Sequence, residues 1–417
     1  MKTNPKLKFA SILFFLVWPL GALINSLHKF REPQAKSIFW LFCIFFGLAF
    51  VIPKDVESAA DSARYASNFI YLHYHHYSFS YLLSSLYNPD VGYTDMFYPI
   101  LVWIVSSFTA NPHILFAFFA VIFGFFYTQN LWIIYSQINR TISFILFLFM
   151  FSYALVNPIW NINGVRMWTA AQIFLFGNLQ YFIFKNKKGL LYSSLSVLFH
   201  FSFIFPTALL FLYLFLPNKI SIYFIFYLLV TLVKEINLLT VRESLSFLPQ
   251  IFQPKVITYT DESYAQRIIE SSSKFHLHVI LAQNISRWFM FLWVLILYIY
   301  RKLWIPQSKK LESIFSFALF LGGWAQLASL IPSGGRFLVL ADGLFYGIFI
   351  LVLTQRTFYT KTKTIRLIST PLLLYIIIFK IRMGFDFIGI SVIFSNPILA
   401  LLLPDQTPLI SFIKHLL

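Results

Sequence analysis

Long apolar runs separated by short polar breaks follow one another along almost the whole chain of 417 residues. Because a bilayer core of about 30 Å needs roughly 20 apolar residues per helix, this pattern predicts a polytopic, all-α membrane protein. Backbone groups in lipid must bond within their own segment, which excludes an open spanning sheet. The predicted helices cover 8–28, 37–53, 113–135, 142–157, 166–184, 220–237, 279–300, 312–331, 337–355, 366–381 and 386–403.

Neither of two further apolar stretches has the length expected of a single transmembrane helix. The stretch 96–109 is short, and the stretch 190–216 is long and interrupted at His200 and Pro206. An even number of crossings must separate cytoplasmic loops, which carry excess Lys and Arg. We therefore expect both stretches to be re-entrant or broken, within a total of about 11–13 transmembrane helices. The basic loops contain Lys29, Arg31 and Lys36; Lys185, Lys187 and Lys188; Arg301, Lys302, Lys309 and Lys310; and Arg356, Lys361, Lys363 and Arg366.

This topology predicts a single transmembrane domain over residues 1–417 with two polar loops, 54–95 and 238–278, on the external face. Counting back through 37–53 and 8–28 leaves the N-terminus outside, although Lys2, Lys6 and Lys8 favour the cytoplasm.

Composition removes several classes of function. The net charge of +17 is spread over separate loops rather than one basic field, so nucleic-acid binding is not expected. The single cysteine, Cys43, excludes an intramolecular disulfide and a cysteine-based metal cluster. No P-loop, dinucleotide fingerprint or Asp-x-Asp motif occurs, which argues against an ATP-driven pump and a cytoplasmic nucleotide-sugar transferase. The run from His73 to His76 lacks an acid or cysteine at ligand spacing and fits an interfacial segment better than a metal site.

Charged residues in such a chain usually line a polar cavity or a substrate path, because an ionised side chain in lipid is costly. Asp61 is three residues before Arg64 and four before Tyr65, so all three can share one face of a helix. They fit either a substrate site or an ordinary surface ion pair near the headgroups. Asp95 precedes the stretch 96–109, where it fits a helix-capping acid or an acid that orients or deprotonates a sugar hydroxyl.

Two arginines stand at predicted helix starts, where a cation opposes the helix dipole. Arg166 follows Asn163, and Arg336 follows a pair of glycines. A guanidinium beside free backbone N–H groups forms a phosphate site, and the alternative is contact with lipid headgroups. His200 fits a packing histidine or a general base. Arg267 and Arg287 flank the second external loop and are candidates for secondary sugar or phosphate contacts.

In these motifs the sequence resembles the O-antigen polymerase family, specifically its EpsG-like branch of Wzy-type membrane polysaccharide polymerases. Relatives often carry glutamate where this chain has Asp95. The matching motifs occur in the family's order across roughly residues 30–350: Asp61-x-x-Arg64-Tyr65, Tyr93-Thr94-Asp95-Met96-Phe97-Tyr98, Asn161 to Ala170, Phe199-His200-Phe201-Ser202 and Gly335-Arg336-Phe337.

The resemblance implies an inverting glycosyltransferase that needs no metal or other cofactor. It would join oligosaccharide repeat units carried on undecaprenyl pyrophosphate at the periplasmic face of the bacterial inner membrane. A chain-length-regulating membrane protein is an expected partner. The implied general-base candidates are Asp61, Asp95 and His200, and the implied pyrophosphate and sugar contacts are Arg64, Tyr65, Asn163, Arg166 and Arg336. Arg287 joins these substrate contacts from its position beside the second external loop.

Two other functions share parts of this pattern. A flippase or transporter for lipid-linked sugars also needs cavity arginines, but it would carry an inverted repeat of broken helices, which the sequence does not reveal. An O-antigen ligase would use the same donor chemistry and differ only in its acceptor.

Overall fold

The computed structural model describes residues 5–53, 61–86, 94–273, 276–404 and 407–416, and these residues are largely helical. The predicted all-α class is confirmed: the described residues form no strand, and an isolated bridge pairs Phe50 with Ile388. Residues 54–60 and 87–93 of the predicted loop 54–95, including Tyr93, lie outside the described residues.

The α-helices are, in chain order, α1 (Pro5–Val17), α2 (Pro19–His28), α3 (Pro33–Leu48), α4 (Asp61–His75), α5 (Phe79–Ser85), α6 (Phe97–Ser106), α7 (Pro112–Tyr135), α8 (Phe144–Ala154), α9 (Val165–Phe184), α10 (Lys188–Phe199), α11 (Ile204–Phe215), α12 (Ile220–Val230), α13 (Leu238–Ser244), α14 (Gln253–Tyr259), α15 (Glu262–Ser273), α16 (Leu277–Ile299), α17 (Arg301–Trp304), α18 (Lys309–Ala328), α19 (Leu338–Leu353), α20 (Arg356–Lys361), α21 (Lys363–Gly384), α22 (Ile390–Phe394), α23 (Pro397–Leu402) and α24 (Leu409–Leu416).

The chain is a multi-pass membrane protein. In the described residues, six helical segments are long and apolar enough to cross a bilayer, and shorter apolar helices pack among them. One of the six, Phe144–Phe184, consists of α8 and α9 joined through a 3₁₀ turn at Ile159–Gly164. The others are Pro112–Tyr135, Leu277–Ile299, Lys309–Ala328, Gly334–Leu353 and Lys363–Gly384.

The four basic loops gather at one end of the helical bundle, which we call the basic end. This shared placement agrees with the even number of crossings that the sequence predicts between them. Contacts between the loops and their flanking helices show this. Arg31 donates a hydrogen bond to the Arg140 carbonyl oxygen (2.6 Å), and Arg140 donates one to the Leu353 carbonyl oxygen (3.2 Å). The rings of Tyr300 and Phe358 are in contact, as are those of Phe182 and Phe317.

Helices α10 and α11 form a re-entrant hairpin, as the interruption at His200 predicts. Each has 12 residues and rises about 18 Å, well short of a full crossing. The Thr207 hydroxyl donates to the Ser193 carbonyl oxygen (3.4 Å), so the two arms lie together. The Tyr213 hydroxyl donates to the Ser313 carbonyl oxygen (3.4 Å), which brings the second arm back to the basic end. The chain therefore reverses at His200 inside the protein.

Glycines fix this hairpin against α9. A Cβ atom on Gly177 would lie 2.5 Å from the Gly189 carbonyl oxygen, and a Cβ atom on Gly189 would lie 2.4 Å from the Gly177 carbonyl oxygen. Small residues let membrane helices approach this closely. The close approach holds the hairpin turn beside the first turn of α9, which carries Arg166.

Helix α6 is the short stretch predicted over 96–109. Its ten residues rise about 15 Å, half of the hydrocarbon thickness. The Met96 N–H donates to the Leu198 carbonyl oxygen (3.0 Å), and Phe97 packs on Phe199 with ring centroids 4.4 Å apart. The helix therefore starts at the hairpin turn and does not cross.

The predicted helix 8–28 is wrong as one continuous helix. It ends at Val17 and restarts at Pro19, a residue that lacks the N–H needed to continue a helix. In one straight helix Ser11 and Asn25 would lie about 21 Å apart, yet both line one small cleft. Helices α1 and α2 therefore fold back on each other. Ser11 of α1 lines this cleft together with Lys29 and Glu32, so α1 lies toward the basic end, which disfavours the predicted single crossing from an external N-terminus.

The predicted helix 386–403 is also broken. It consists of α22 and α23, and the Asn396 side chain caps the second by accepting hydrogen bonds from the N–H groups of Ile398 and Leu399, both at 3.0 Å. A cap of this kind starts a new helix rather than continuing an old one. The predicted helix 220–237 ends earlier, at Val230.

Candidate functional site

The site is built around a buried ion pair between Asp95 and Arg166. Asp95 Oδ2 lies 2.6 Å from Arg166 Nε, and Asp95 Oδ1 accepts a hydrogen bond of 2.8 Å from the Phe201 N–H. The Asp95 side chain is 3% exposed, whereas that of Arg166 is 31% exposed. One carboxylate thus joins the starts of α6 and α9 to the turn of the re-entrant hairpin.

The Asp95 carboxylate has contacts that compensate its burial. A buried carboxylate is tolerated when a cation and hydrogen-bond donors compensate it, and here each oxygen has one such partner. A general base needs an oxygen that can receive the substrate's proton. The geometry therefore favours Asp95 as the residue that positions Arg166 over Asp95 as the base.

His200 is the first residue of the hairpin turn and is 8% exposed. Its Nδ1 lies 2.7 Å from the Ser202 hydroxyl oxygen and accepts from the Ser202 N–H at 3.3 Å, so it caps the 3₁₀ turn Phe201–Phe203. With Nδ1 acting as an acceptor, the proton of the neutral ring belongs on Nε2. The imidazole therefore serves as a cap and presents an N–H donor on its other side.

Burial lowers the pKa of His200 to about 4, so the ring is neutral at pH 7. Neighbouring charges also shift the pKa of His200, and they identify the ionisable groups that lie near the turn. Asp95 raises the pKa, whereas Arg166, Arg336 and Lys255 lower it.

Arg336 is held beside the same turn by its aromatic neighbour. Phe337 packs on Phe203 and Phe205, with ring centroids 6.1 and 5.3 Å apart. The Arg336 side chain is exposed and forms no ion pair with the described residues. Its charge is therefore available to a ligand.

The loop before Arg336 has a shape that requires glycine. Ser333 adopts a left-handed backbone with φ of 65°. A Cβ atom on Gly334 would lie 1.8 Å from the Ala328 carbonyl oxygen, so only glycine fits without a backbone shift. The paired glycines noted in the sequence thus shape the loop at one position, Gly334. A Cβ atom on Gly335 would have no neighbour closer than 3.9 Å.

Helix α4 begins on the loop that precedes Arg166. The Ser62 N–H donates to Asn163 Oδ1 at 3.2 Å, so the Asn163 side chain caps α4. Asp61 and Arg64 form an ion pair with side chains 34% and 62% exposed, as the surface-pair alternative describes. Asp61 Oδ1 makes that contact, and no hydrogen bond to Oδ2 is formed within the described residues.

Tyr65 is buried on the inner face of α4. Its ring packs on Tyr98 and Phe119, with centroids 4.7 and 6.2 Å away. Burial raises the pKa of Tyr65, the charge of Asp61 raises it further and Arg166 opposes both, so the hydroxyl stays protonated. Tyr65 is close enough to Arg166 to be part of the same electrostatic site.

Arg287 lies elsewhere. It is an exposed residue of α16, and its charge acts on Asp342 together with that of Lys380. Arg267 lies over the ring of Tyr264, 5.9 Å from its centroid. The structure thus does not bring Arg287 to the Asp95–Arg166 pair.

A buried amide network supports the loop that carries Asn163 and Arg166. Asn157 Nδ2 donates to the Trp168 carbonyl oxygen (3.0 Å), and Gln172 Nε2 donates to the Asn157 carbonyl oxygen (2.9 Å). Asn130 Nδ2 donates to Gln172 Oε1 (2.7 Å). Asn130 and Gln172 are polar side chains inside two apolar helices, and this was the signal in the sequence that could have revealed the network.

The segment between α12 and α16 contributes residues that sequence reasoning missed. Phe252 stacks on Phe201, with ring centroids 5.6 Å apart, and the charge of Lys255 reaches His200. Both stand in a polar loop whose sequence gives no indication of which positions face inward.

The histidine run lies on α4 and is engaged locally. His73 Nδ1 lies 2.6 Å from the Ser106 carbonyl oxygen, and His75 Nδ1 lies 2.8 Å from the Tyr71 carbonyl oxygen. Within the described ranges, the structure gathers no group of three or more His, Cys, Asp or Glu side chains that could hold a metal ion.

Fold and site together define a multi-pass α-helical membrane protein in which a carboxylate–guanidinium pair, a second arginine and a re-entrant turn meet away from the basic loops. The sequence profile of the EpsG family matches residues 38–398, which is most of the chain. The chain therefore belongs to the EpsG family, as its motifs suggested, and membership supports a polysaccharide-polymerase role in broad terms. No curated protein and no solved structure matches the chain.

Proposed function

We propose that this protein is a glycosyltransferase that polymerises oligosaccharide repeat units carried on undecaprenyl pyrophosphate, at the periplasmic face of a bacterial inner membrane. The observation that carries the proposal is the convergence of Arg166, Arg336 and the turn at His200 around Asp95. A cluster of cations at one polar site suits a pyrophosphate, which arginine binds through several charge-assisted hydrogen bonds.

The distribution of charge supports the proposed side of the membrane. Short loops rich in Lys and Arg stay in the cytoplasm, and the four basic loops share one end of the bundle. Arg336 lies in the loop at the other end of α18 and α19 from the basic loops. The site then faces the periplasm.

The chemistry needs a stabilised leaving group. In an inverting transfer, an acceptor sugar hydroxyl attacks the anomeric carbon of the donor from the face opposite the pyrophosphate. The new glycosidic bond forms as the bond to the pyrophosphate oxygen breaks, and negative charge builds up on that oxygen. Arg166 uses Nε for Asp95, so its two Nη groups are left to meet this charge together with Arg336.

The hydroxyl's proton must pass to a base as the bond forms. Asp95 has both oxygens engaged, and His200 uses Nδ1 as a cap. Asp61 keeps Oδ2 outside its ion pair and is partly exposed. Of the three candidate bases, the geometry favours Asp61, with His200 as a hydrogen-bond donor to substrate and Asp95 as the positioning residue for Arg166.

The direct test is elongation by purified protein. Wild-type protein is incubated with a lipid-pyrophosphate oligosaccharide, without added metal or nucleotide, and products are resolved by length. Arg336→Ala should abolish stepwise elongation, whereas Arg356→Ala, an exposed arginine of the basic end, should leave it intact. Elongation by Arg336→Ala at the wild-type rate would contradict the proposal. Movement of the lipid across vesicles without elongation would indicate a flippase instead.

A further inference from the structure

The segment 238–273, which we call the cap, contains three helices, α13, α14 and α15, between α12 and α16. It touches both halves of the site. Phe252 stacks on Phe201 at 5.6 Å with an angle of 17° between the rings, directly beside His200. The Tyr264 hydroxyl lies 3.5 Å from the Ser333 hydroxyl, in the loop that carries Arg336. The cap therefore lies over the hairpin turn and the Arg336 loop.

Hydrogen bonds inside the cap give it a fixed shape. Arg242 donates from Nε to the Thr260 hydroxyl and from Nη2 to the Thr260 carbonyl oxygen, both at 2.9 Å. Gln253 Nε2 donates to the Leu248 carbonyl oxygen at 2.8 Å. These contacts tie α13 to the end of α14 and the loop after α13 to its start, so α14 is held in place from both sides.

Lys255 lies in the first turn of α14, three residues after Phe252. It is half-buried and forms no ion pair with a carboxylate of the described chain. Its charge acts on His200 alongside those of Arg166 and Arg336, and the charge of Asp95 opposes them. Three cations around one carboxylate repel one another and favour a bound anion.

We propose that Lys255 is a further phosphate-binding residue of the Arg166–Arg336 site, delivered by the cap, and that it contacts the pyrophosphate of the lipid-linked substrate. This rests on the proposed function, because it uses the same site and ligand. The charges agree: three cations and Asp95 leave two positive charges, and a pyrophosphate esterified at both ends carries two negative charges. Substrate then ties the cap to the bundle through Lys255.

The test compares binding of a short prenyl pyrophosphate and the matching prenyl monophosphate to the full-length protein in nanodiscs. Lys255→Ala should weaken pyrophosphate binding about ten-fold, as expected for one charge-assisted hydrogen bond. Monophosphate binding should change less, because it presents one phosphate rather than two. Lys255→Arg should restore most of the affinity. Lys234→Ala, an exposed lysine just outside the cap, should bind like wild type.

A second readout is protease cleavage within 238–273. Prenyl pyrophosphate should slow cleavage in wild type and in Lys234→Ala, but not in Lys255→Ala. The inference is overturned if Lys255→Ala binds pyrophosphate as tightly as wild type while Arg336→Ala loses binding, and in that case the proposed function survives. If wild type binds neither probe, the proposed function itself fails.

Discussion

Arg166 Nε and Asp95 Oδ2 lie 2.6 Å apart although one residue opens α9 and the other precedes α6. The Phe201 N–H binds the other oxygen of the same carboxylate. This contact fixes the direction of the Arg166 guanidinium before any substrate arrives, which is what electrostatic catalysis requires of a group that stabilises developing charge.

Breaking this pair should be costly. Removing one partner of a buried ion pair leaves an uncompensated charge, so Asp95→Ala should lower the free energy of unfolding by about 3 kcal/mol, the low end of the usual range because Arg166 is 31% exposed. Thermal unfolding of purified protein in detergent measures this. The double variant Asp95→Ala with Arg166→Ala should lose less than the sum of the two single changes. Strictly additive losses would mean that the two side chains do not interact.

The Arg336 loop offers a matched pair of glycine variants. Gly334→Ala should abolish elongation, because its Cβ would lie 1.8 Å from the Ala328 carbonyl oxygen and the backbone carrying Arg336 must shift. Gly335→Ala should be tolerated, since its Cβ has 3.9 Å of clearance. Chain-length ladders at equal protein level test both. Equal activity of the two variants would show that the loop geometry does not matter.

The contact between α9 and α10 should be equally sensitive to size. Gly177→Ala places a Cβ 2.5 Å from the Gly189 carbonyl oxygen, so we expect lower thermal stability and loss of elongation as the hairpin turn moves away from Arg166. At Gly347 the nearest atom is the side-chain tip of Ile134, 3.2 Å away, and Gly347→Ala should have a small effect. The reverse order of effects would argue against a hairpin packed on α9.

His200 should make stability depend on acid pH. Its folded pKa of about 4 lies below the ordinary value of 6.5, so the fold favours the neutral ring, and stability falls as pH drops from 6.5 toward 4. The thermal midpoint of His200→Asn should fall less over that interval than that of wild type. Parallel curves for the two proteins would mean that His200 is not buried as a neutral ring.

Much of the fold could be predicted from the sequence, because the length of an apolar run and the charge of a short loop can each be read from a local stretch of chain. The number of crossings even identified 190–216 and 96–109 as stretches that do not cross. The sequence-based prediction failed at Trp18 and Pro19, where an apolar stretch long enough to cross the membrane turns back on itself. Hydrophobicity does not distinguish one crossing from a hairpin, and the proline was the available signal.

The site could be predicted only as a set of separate residues. Arg166, Arg336 and His200 stood out because charge in an apolar chain is conspicuous. Their arrangement around Asp95 depends on which helices pack together, and one sequence does not contain that information. Arg287 is also a charged residue in an apolar stretch, yet it lies near Asp342. Lys255 falls in a stretch predicted as a polar loop, where a lysine is ordinary, although it lies near His200.

The orientation can be checked with single cysteines, because the native Cys43 is buried. We expect Lys8→Cys and Lys187→Cys to react with a membrane-impermeant thiol reagent only from the cytoplasmic side. Lys234→Cys should react only from the periplasmic side. Labelling of Lys8→Cys from the periplasm would restore the single N-terminal crossing and remove the α1–α2 hairpin.

The central claim is that one polar site binds the substrate's pyrophosphate, and photo-cross-linking tests it most directly. A prenyl pyrophosphate carrying a photoreactive group next to its phosphates is irradiated with the full-length protein, and labelled peptides are mapped. The account predicts labels at 95–98, 163–167, 200–203 and 333–337. Labels confined to the basic loops, or to α16 around Arg287, would contradict it.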